Sequence, residues 1–197
     1  PDSMTSSATR DSMEQRPASW LPMAVVAMGQ TLTTLNISAL PVLIGAMVDE
    51  FGIAPTMVAS TIVVYSIAVS GFIMLGAKLG QKHGATTVFR WATALLLLAS
   101  ALTTYSPNFG MLLAAQGVSG LGAALLLPSL VVLITDNYSG PQQAKAIGLL
   151  GGVQAAATVA TILIAGTVGT HLGWRYSFGL IIPFAILTWL MSHKLEP

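Results

Sequence analysis

Six stretches of this chain stay apolar long enough to cross about 30 Å of hydrocarbon, which at 1.5 Å per residue takes a helix of about 20 residues. They run approximately from Trp20 to Val48, Pro55 to Leu79, Val88 to Tyr105, Phe109 to Ile134, Ala146 to Gly169 and Tyr176 to Ser192. None alternates apolar and polar positions with period two, so strands are excluded. Helices remain, because a helix satisfies its own backbone hydrogen bonds in lipid. Composition agrees: 54% of residues are hydrophobic and 8% charged, where a soluble domain carries roughly a quarter. The breaks are short and rich in turn residues, such as Ser106-Pro107-Asn108, so no connection can hold a second domain. The expected fold class is an all-α membrane protein of six transmembrane helices.

Charge and reactive side chains exclude several functions. Eight Lys+Arg against seven Asp+Glu leave a net charge of +1, no surplus for neutralising a phosphate backbone, so nucleic acid is not an expected partner. There is no cysteine, which removes disulfides, thiolate zinc sites and cysteine nucleophiles together. His83, His171 and His193 fall outside the apolar runs or at their ends. No metal site, cofactor or catalytic residue is expected.

The polar segment Pro1 to Pro17 has no apolar core, so residues 1–19 read as a disordered cytoplasmic tail, 20–192 as the membrane domain and 193–197 as the start of a cytoplasmic linker. With the N-terminus inside, Arg10, Arg16, Lys78, Lys82, Arg90, Lys145 and Lys194 lie on the cytoplasmic side and only Arg175 outside. This asymmetry predicts both termini inside. Trp20, Trp91, Tyr105, Tyr138, Trp174, Tyr176 and Trp189 all fall near predicted span ends, where an amphipathic ring suits the headgroup region.

The first and fourth spans match. Leu40-Pro41-Val42-Leu43 and Asp49-Glu50-Phe51 align with Leu127-Pro128-Ser129-Leu130 and Asp136-Asn137-Tyr138 at a constant separation of 87 positions, the difference between Pro41 and Pro128 and between Asp49 and Asp136. Continued, the alignment lays span 2 on span 5 and span 3 on span 6. Three spans per unit is odd, so the second unit enters the membrane from the opposite side. The result is two inverted repeats, about 20–105 and 109–192, an arrangement typical of secondary transporters.

Polar residues inside the spans are neutral. Gln30, Thr33 and Thr34 share a face of span 1, Tyr65 stands on span 2, Gln116 and Ser119 on span 4, and Gln154, Thr158 and Thr161 form one stripe on span 5. Spans 3 and 6 read as nearly featureless and are expected to face lipid. Gln30, Thr33, Thr34, Tyr65, Gln116, Gln154 and Thr158 are the candidate substrate-binding residues. The other reading is hydrogen-bonded glue between helices, at about 0.6–2 kcal/mol per contact. Gly148 with Gly152, Gly117 with Gly120 and Gly166 with Gly169 are expected to let helices approach closely.

Four segments carry a family resemblance: Thr33-Thr34 to Ala39-Leu40-Pro41 in span 1, Leu79-Gly80-Gln81-Lys82-His83-Gly84 after span 2, Gln116-Gly117 with Gly122-Ala123-Ala124 to Pro128 in span 4, and Gly173-Trp174-Arg175-Tyr176-Ser177-Phe178 before span 6. In these the chain resembles the N-terminal six-helix half of a major facilitator superfamily transporter, most like the fourteen-helix drug:proton antiporter branch. The resemblance implies a substrate path between two six-helix halves, alternating access, and a cytoplasmic gate loop with Gln81, Lys82 and Gly84. The expected setting is a bacterial-type inner (plasma) membrane. Its expected partners are membrane lipid, a small neutral or amphipathic organic substrate, and a second six-helix half in the same chain, a separate chain or a homodimer. The chain also departs from the pattern. Leu32 stands where the branch often has aspartate, Gln81 replaces the gate-loop aspartate, Ala85 and Thr86 replace its basic pair, Leu113 replaces an arginine, and Thr161-Ile162 stand for Gly-Pro. A proton carrier needs a titratable group at membrane depth, so the coupling charges are absent from this half.

Two other readings compete. Gly117-Val118-Ser119-Gly120 looks like the serine motif of rhomboid intramembrane proteases, which need a histidine at membrane depth to take the serine proton; His171 and His193 lie beyond reach in sequence. A non-transporting subunit that binds a larger membrane complex or lipid would also tolerate the loss of coupling charges. The length of the chain fits a truncated transporter, a half-transporter that pairs with itself, or an accessory protein.

Overall fold

The computed structural model of the chain describes residues 19–195; most of the expected tail, with Arg10 and Arg16, and the end of the expected linker lie outside the described residues. Six apolar helical spans stand among the described residues, with no strand between them. They are α1 (Leu21–Phe51), α2 (Pro55–His83), α3 (Ala85–Thr104), α4 (Phe109–Asn137), α5 (Gly140–His171), and α6 (Trp174–Gly179) with α7 (Ile181–Ser192), which share the sixth span. Local chemistry sets the ends. Proline opens α2, whose first N–H has no helical partner to lose. Asn108 caps α4 by accepting from the Met111 amide at 2.9 Å, and Gly52, left-handed at φ +64°, closes α1 with a 2.9 Å bond to the Val48 carbonyl.

The segment expected as a gate loop is helical except at Gly84. α2 continues to His83 and α3 begins at Ala85, because no residue from Gln81 to His83 breaks a helix, while Gly84 takes φ +88°, which a side chain would strain. Gln81 and Lys82 are exposed on the last turn of α2. The sixth span starts two residues earlier than its apolar run, at Trp174, and breaks at Leu180. Pro183 has no N–H for the carbonyl of Gly179.

The second helix of each repeat packs on the first helix of the other: α2 lies along α4 and α5 along α1. This exchange is repeated at both ends of the bundle. At one end Tyr138, which follows α4, stacks on Trp20 at 5.2 Å; its hydroxyl donates to the Ser19 carbonyl at 2.8 Å and accepts from the Met23 amide at 3.0 Å. Burial pushes this hydroxyl above the ordinary tyrosine range, against a smaller lowering by the Met23 amide. At the other end Phe51, the repeat counterpart of Tyr138, meets Phe109 at the start of α4, with ring centroids 6.3 Å apart.

Two arginines make the same exchange between third helices. Arg90, near the start of α3, donates to the carbonyls of Ser192 at 3.2 Å and Leu195 at 3.0 Å, at the end of α7. Arg175, at the start of α6, donates to the carbonyls of Thr104 at 3.2 Å and Ser106 at 2.6 Å, at the end of α3. Each cation thus sits where the last carbonyls of a helix lack partners and its dipole is negative. Arg175 also pairs with the Glu50 carboxylate at 2.6 Å, which accepts from the Trp174 indole as well.

Close approach depends on glycines only in part as expected. A Cβ at Gly120 would lie 2.6 Å from the Tyr65 carbonyl, and one at Gly76 would lie 2.2 Å from the Ala124 carbonyl. Pro128 cannot bond that carbonyl of Ala124, and α2 comes against it at the one residue type without a side chain. Gly166 and Gly169 face Val42 and Leu43 of α1. Gly148 and Gly152, expected at a contact, have open space around them: they lie on an exposed stretch of α5. α3 is also more enclosed than expected, with Phe89, Ala92, Leu96 and Ala99 fully buried. α2 and α5 are the open helices, exposing side chains such as Ile67 at 66% and Leu163 at 65%.

Two outcomes follow for stability in detergent. Gly76→Ala must push α2 off α4 and is expected to cost about 1–3 kcal/mol, the range for overpacking, whereas Gly152→Ala should leave the unfolding temperature unchanged or raise it. Arg175→Lys keeps the charge but not the fork that reaches two carbonyls and a carboxylate. It is expected to cost about 1–3 kcal/mol, read as a lower unfolding temperature, and an unchanged one would show the carbonyl bonds to be idle.

Candidate functional site

No Cα of α2 comes within 8 Å of one of α5, since each is committed to a helix of the opposite repeat. Between them lies a cleft of about 330 Å³, floored by α1 and α4. α1 contributes Gln30, Thr33, Thr34 and Ile37, α2 contributes Tyr65, Ser66, Val69 and Ser70, α4 contributes Leu127 and α5 contributes Gln154. Five of the seven residues expected to bind substrate are therefore brought to one place. No lining side chain is formally charged.

Most hydroxyls in the cleft are spent on their own helices. Thr33 donates to the Gly29 carbonyl at 3.2 Å, Thr34 to the Gln30 carbonyl at 2.9 Å and Ser66 to the Ile62 carbonyl at 2.9 Å, the back-bonding habit of helical Ser and Thr. The Gln30 amide nitrogen donates to the Thr34 hydroxyl at 3.2 Å, which holds the side chain across the floor. Tyr65 is only 4% exposed, and its hydroxyl has no hydrogen-bond partner among the described residues. The exposed carboxamide of Gln154 and the Ser70 hydroxyl are likewise unpartnered among those residues. Pro41 has no N–H to offer the Ile37 carbonyl one turn earlier on α1.

Gln116 and Thr158 lie outside this lining. Gln116 is 1% exposed and points between α3 and α4, its amide donating to the Thr103 hydroxyl at 3.3 Å. It belongs to a buried polar layer that includes Asn36, Ser100 and Ser119; Asn36 donates to the Leu32 carbonyl at 3.0 Å and Ser100 to that of Leu96 at 2.8 Å. Only the Gln116 carbonyl oxygen and the Ser119 hydroxyl are buried without a partner among the described residues. Thr158 bonds the Gln154 carbonyl at 2.9 Å, and Thr161, farther along α5, is buried away from the cleft. Periodicity put the three α5 residues on one face, but α5 carries that face past the cleft and onto α1. Ile37, Ser66, Val69, Ser70 and Leu127 were missed. Ser66 and Ser70 stand one helical turn apart beside Tyr65 and could have been found by that spacing; the other three are apolar residues with no mark in the sequence as site residues.

Residues 26–196 match the family description Major Facilitator Superfamily. Among similar proteins, the puromycin resistance protein pur8 of Streptomyces alboniger is 26% identical over 92% of this chain and 36% of its own length. The riboflavin transporter RibZ of Clostridioides difficile (strain 630) is 22% identical over 90% of this chain and 39% of its own, and the methylenomycin A resistance protein of Bacillus subtilis (strain 168) is 24% identical over 88% and 37%. The chain thus spans well under half the length of the curated relatives it matches. A crystal structure of the peptide transporter POT in complex with sulfate superposes with a TM-score of 0.78 at 14% identity, over 87% of this chain and 37% of that one, which shows a common fold. With a matching family description over most of its length, and six spans folded as a transporter half, this chain belongs to the major facilitator superfamily.

Proposed function

We propose that the chain is one half of a secondary transporter that moves a small neutral or amphipathic organic solute by alternating access, and that the cleft between α2 and α5 is its half of the solute path. The observation that carries this reading is a cleft open between the two most exposed helices and furnished with unpartnered, uncharged polar groups. Glue residues would have their polar atoms satisfied by neighbouring helices; Tyr65 and Gln154 do not among the described residues. A second six-helix half, in the same chain or another, covers the open faces of α2 and α5. Similarity to puromycin and methylenomycin A resistance proteins supports efflux of an organic compound over uptake of an ion.

The cleft holds no titratable carboxylate, histidine or lysine, so proton coupling, where it operates, comes from groups outside this lining. The bundle end carrying Gly84 holds Lys78, Lys82, Arg90, Lys145 and Lys194, and the end carrying Phe51 holds Arg175 paired to Glu50. That imbalance supports placing the Gly84 end, and with it both termini, in the cytoplasm. Gln81 and Lys82 then face the cytoplasm beside the Gly84 hinge, where a gate between halves would close.

Alanine at Gln154 is expected to weaken solute binding about threefold to tenfold, the worth of one neutral hydrogen bond. Thr103→Ala and Gln116→Met, in the buried layer away from the cleft, should leave the dissociation constant unchanged. Equal responses of the three variants in a binding assay would remove the cleft from the solute path.

A further inference from the structure

We infer that the cleft takes its ligand through an amide edge, an N–H and a C=O side by side as in a primary carboxamide, lactam or imide, rather than through a cation, an anion or a row of hydroxyls. The inference deepens the transport reading and rests on it.

The charge argument comes first. An ammonium or carboxylate entering this cleft would give up its hydration and find no counter-charge in the lining. A neutral head loses less and can be repaid by hydrogen bonds.

The donors and acceptors then narrow the head further. Thr33, Thr34 and Ser66 have already given their protons to backbone carbonyls, and Thr34 also holds one N–H of Gln30. What remains for a ligand is the Tyr65 hydroxyl, the Ser70 hydroxyl, the Gln154 carboxamide, and the carbonyl oxygen and second N–H of Gln30. Each of the two carboxamides presents a donor and an acceptor together. An amide edge answers such a pair with two opposed hydrogen bonds. An ester or ketone answers only the donors and leaves glutamine oxygens bare, which a site of low polarity penalises.

The walls exclude a polyol. Ile37, Val69 and Leu127 would lie against its hydroxyls and pair with none of them. They suit an apolar body. The ligand is amphipathic in a particular order, with its amide at the glutamines and its rings or alkyl groups against these apolar walls.

The test is scintillation-proximity binding of four tritiated probes to the full chain in nanodiscs: naphthamide, N,N-dimethylnaphthamide, methyl naphthoate and naphthyltrimethylammonium. On the unaltered chain naphthamide should bind about tenfold tighter than each of the others, the worth of a hydrogen bond made or left unmade. Gln30→Met, of similar volume, should cut this preference to about twofold or less while changing the affinity of the dimethyl amide little. Equal affinities of naphthamide and its dimethyl derivative on the unaltered chain would overturn the inference without recourse to any variant. Gln154→Trp, which fills the mouth of the cleft, separates the two levels. Probes that bind without preference and are expelled by Gln154→Trp would sink the amide edge and leave the cleft standing. Probes untouched by Gln154→Trp would sink the cleft, and the amide edge with it.

Discussion

Nothing in hydrocarbon drives one apolar helix against another as water does, so this bundle depends on an exchange between its repeats. The second helix of each repeat lies on the first helix of the other, in contact close enough that Gly76 and Gly120 leave no room for a side chain. Backbone touching backbone gains dispersion over a long seam. At the bundle ends the exchange becomes polar and aromatic, through Arg90, Arg175, Tyr138 and Phe51. The arginines and Tyr138 bond backbone groups near the helix ends, and Phe51 packs its ring on that of Phe109.

The cleft is a by-product of the same exchange. Because α2 is drawn to α4 and α5 to α1, the two diverge from each other, and α1 and α4 are left showing between them. Whatever those floor helices carry on that side lines the cleft. On α1 it is Gln30, Thr33 and Thr34; on α4 it is an apolar residue, Leu127. The repeats are alike in backbone and unlike in the chemistry they bring to the shared face, so a symmetric scaffold yields an asymmetric site.

The spans were legible because a run of about 20 apolar residues has few alternatives in a folded chain, and the repeat was legible because Pro41 and Pro128 sit at matching places before matching polar turns. That match extends to the rings: Phe51 and Tyr138, aligned by position, do corresponding work. Five of the ten residues lining the cleft were legible as polar members of the spans too, since a Gln in an apolar helix is costly unless something uses it. Gln116 lies outside that lining for a physical reason. Periodicity tells which residues of a helix share a face, and not which neighbour that face meets; α4 meets α3 there, whose Thr103 and Ser100 make it a polar wall. Gly148 and Gly152 mislead in the same way, because small residues at helical spacing permit contact and do not supply it. The break at Leu180 and the helical end of α2 lie where local propensity is weak and packing decides.

The arginine ties bear on how such a protein is made. Synthesis from the N-terminus delivers the first three helices well before the sixth span, and in that interval Arg90 has no α7 carbonyls to hold and Glu50 no guanidinium. The nascent bundle therefore carries an unclaimed cation at one end and an unclaimed anion at the other, and both are quenched only when the sixth span arrives.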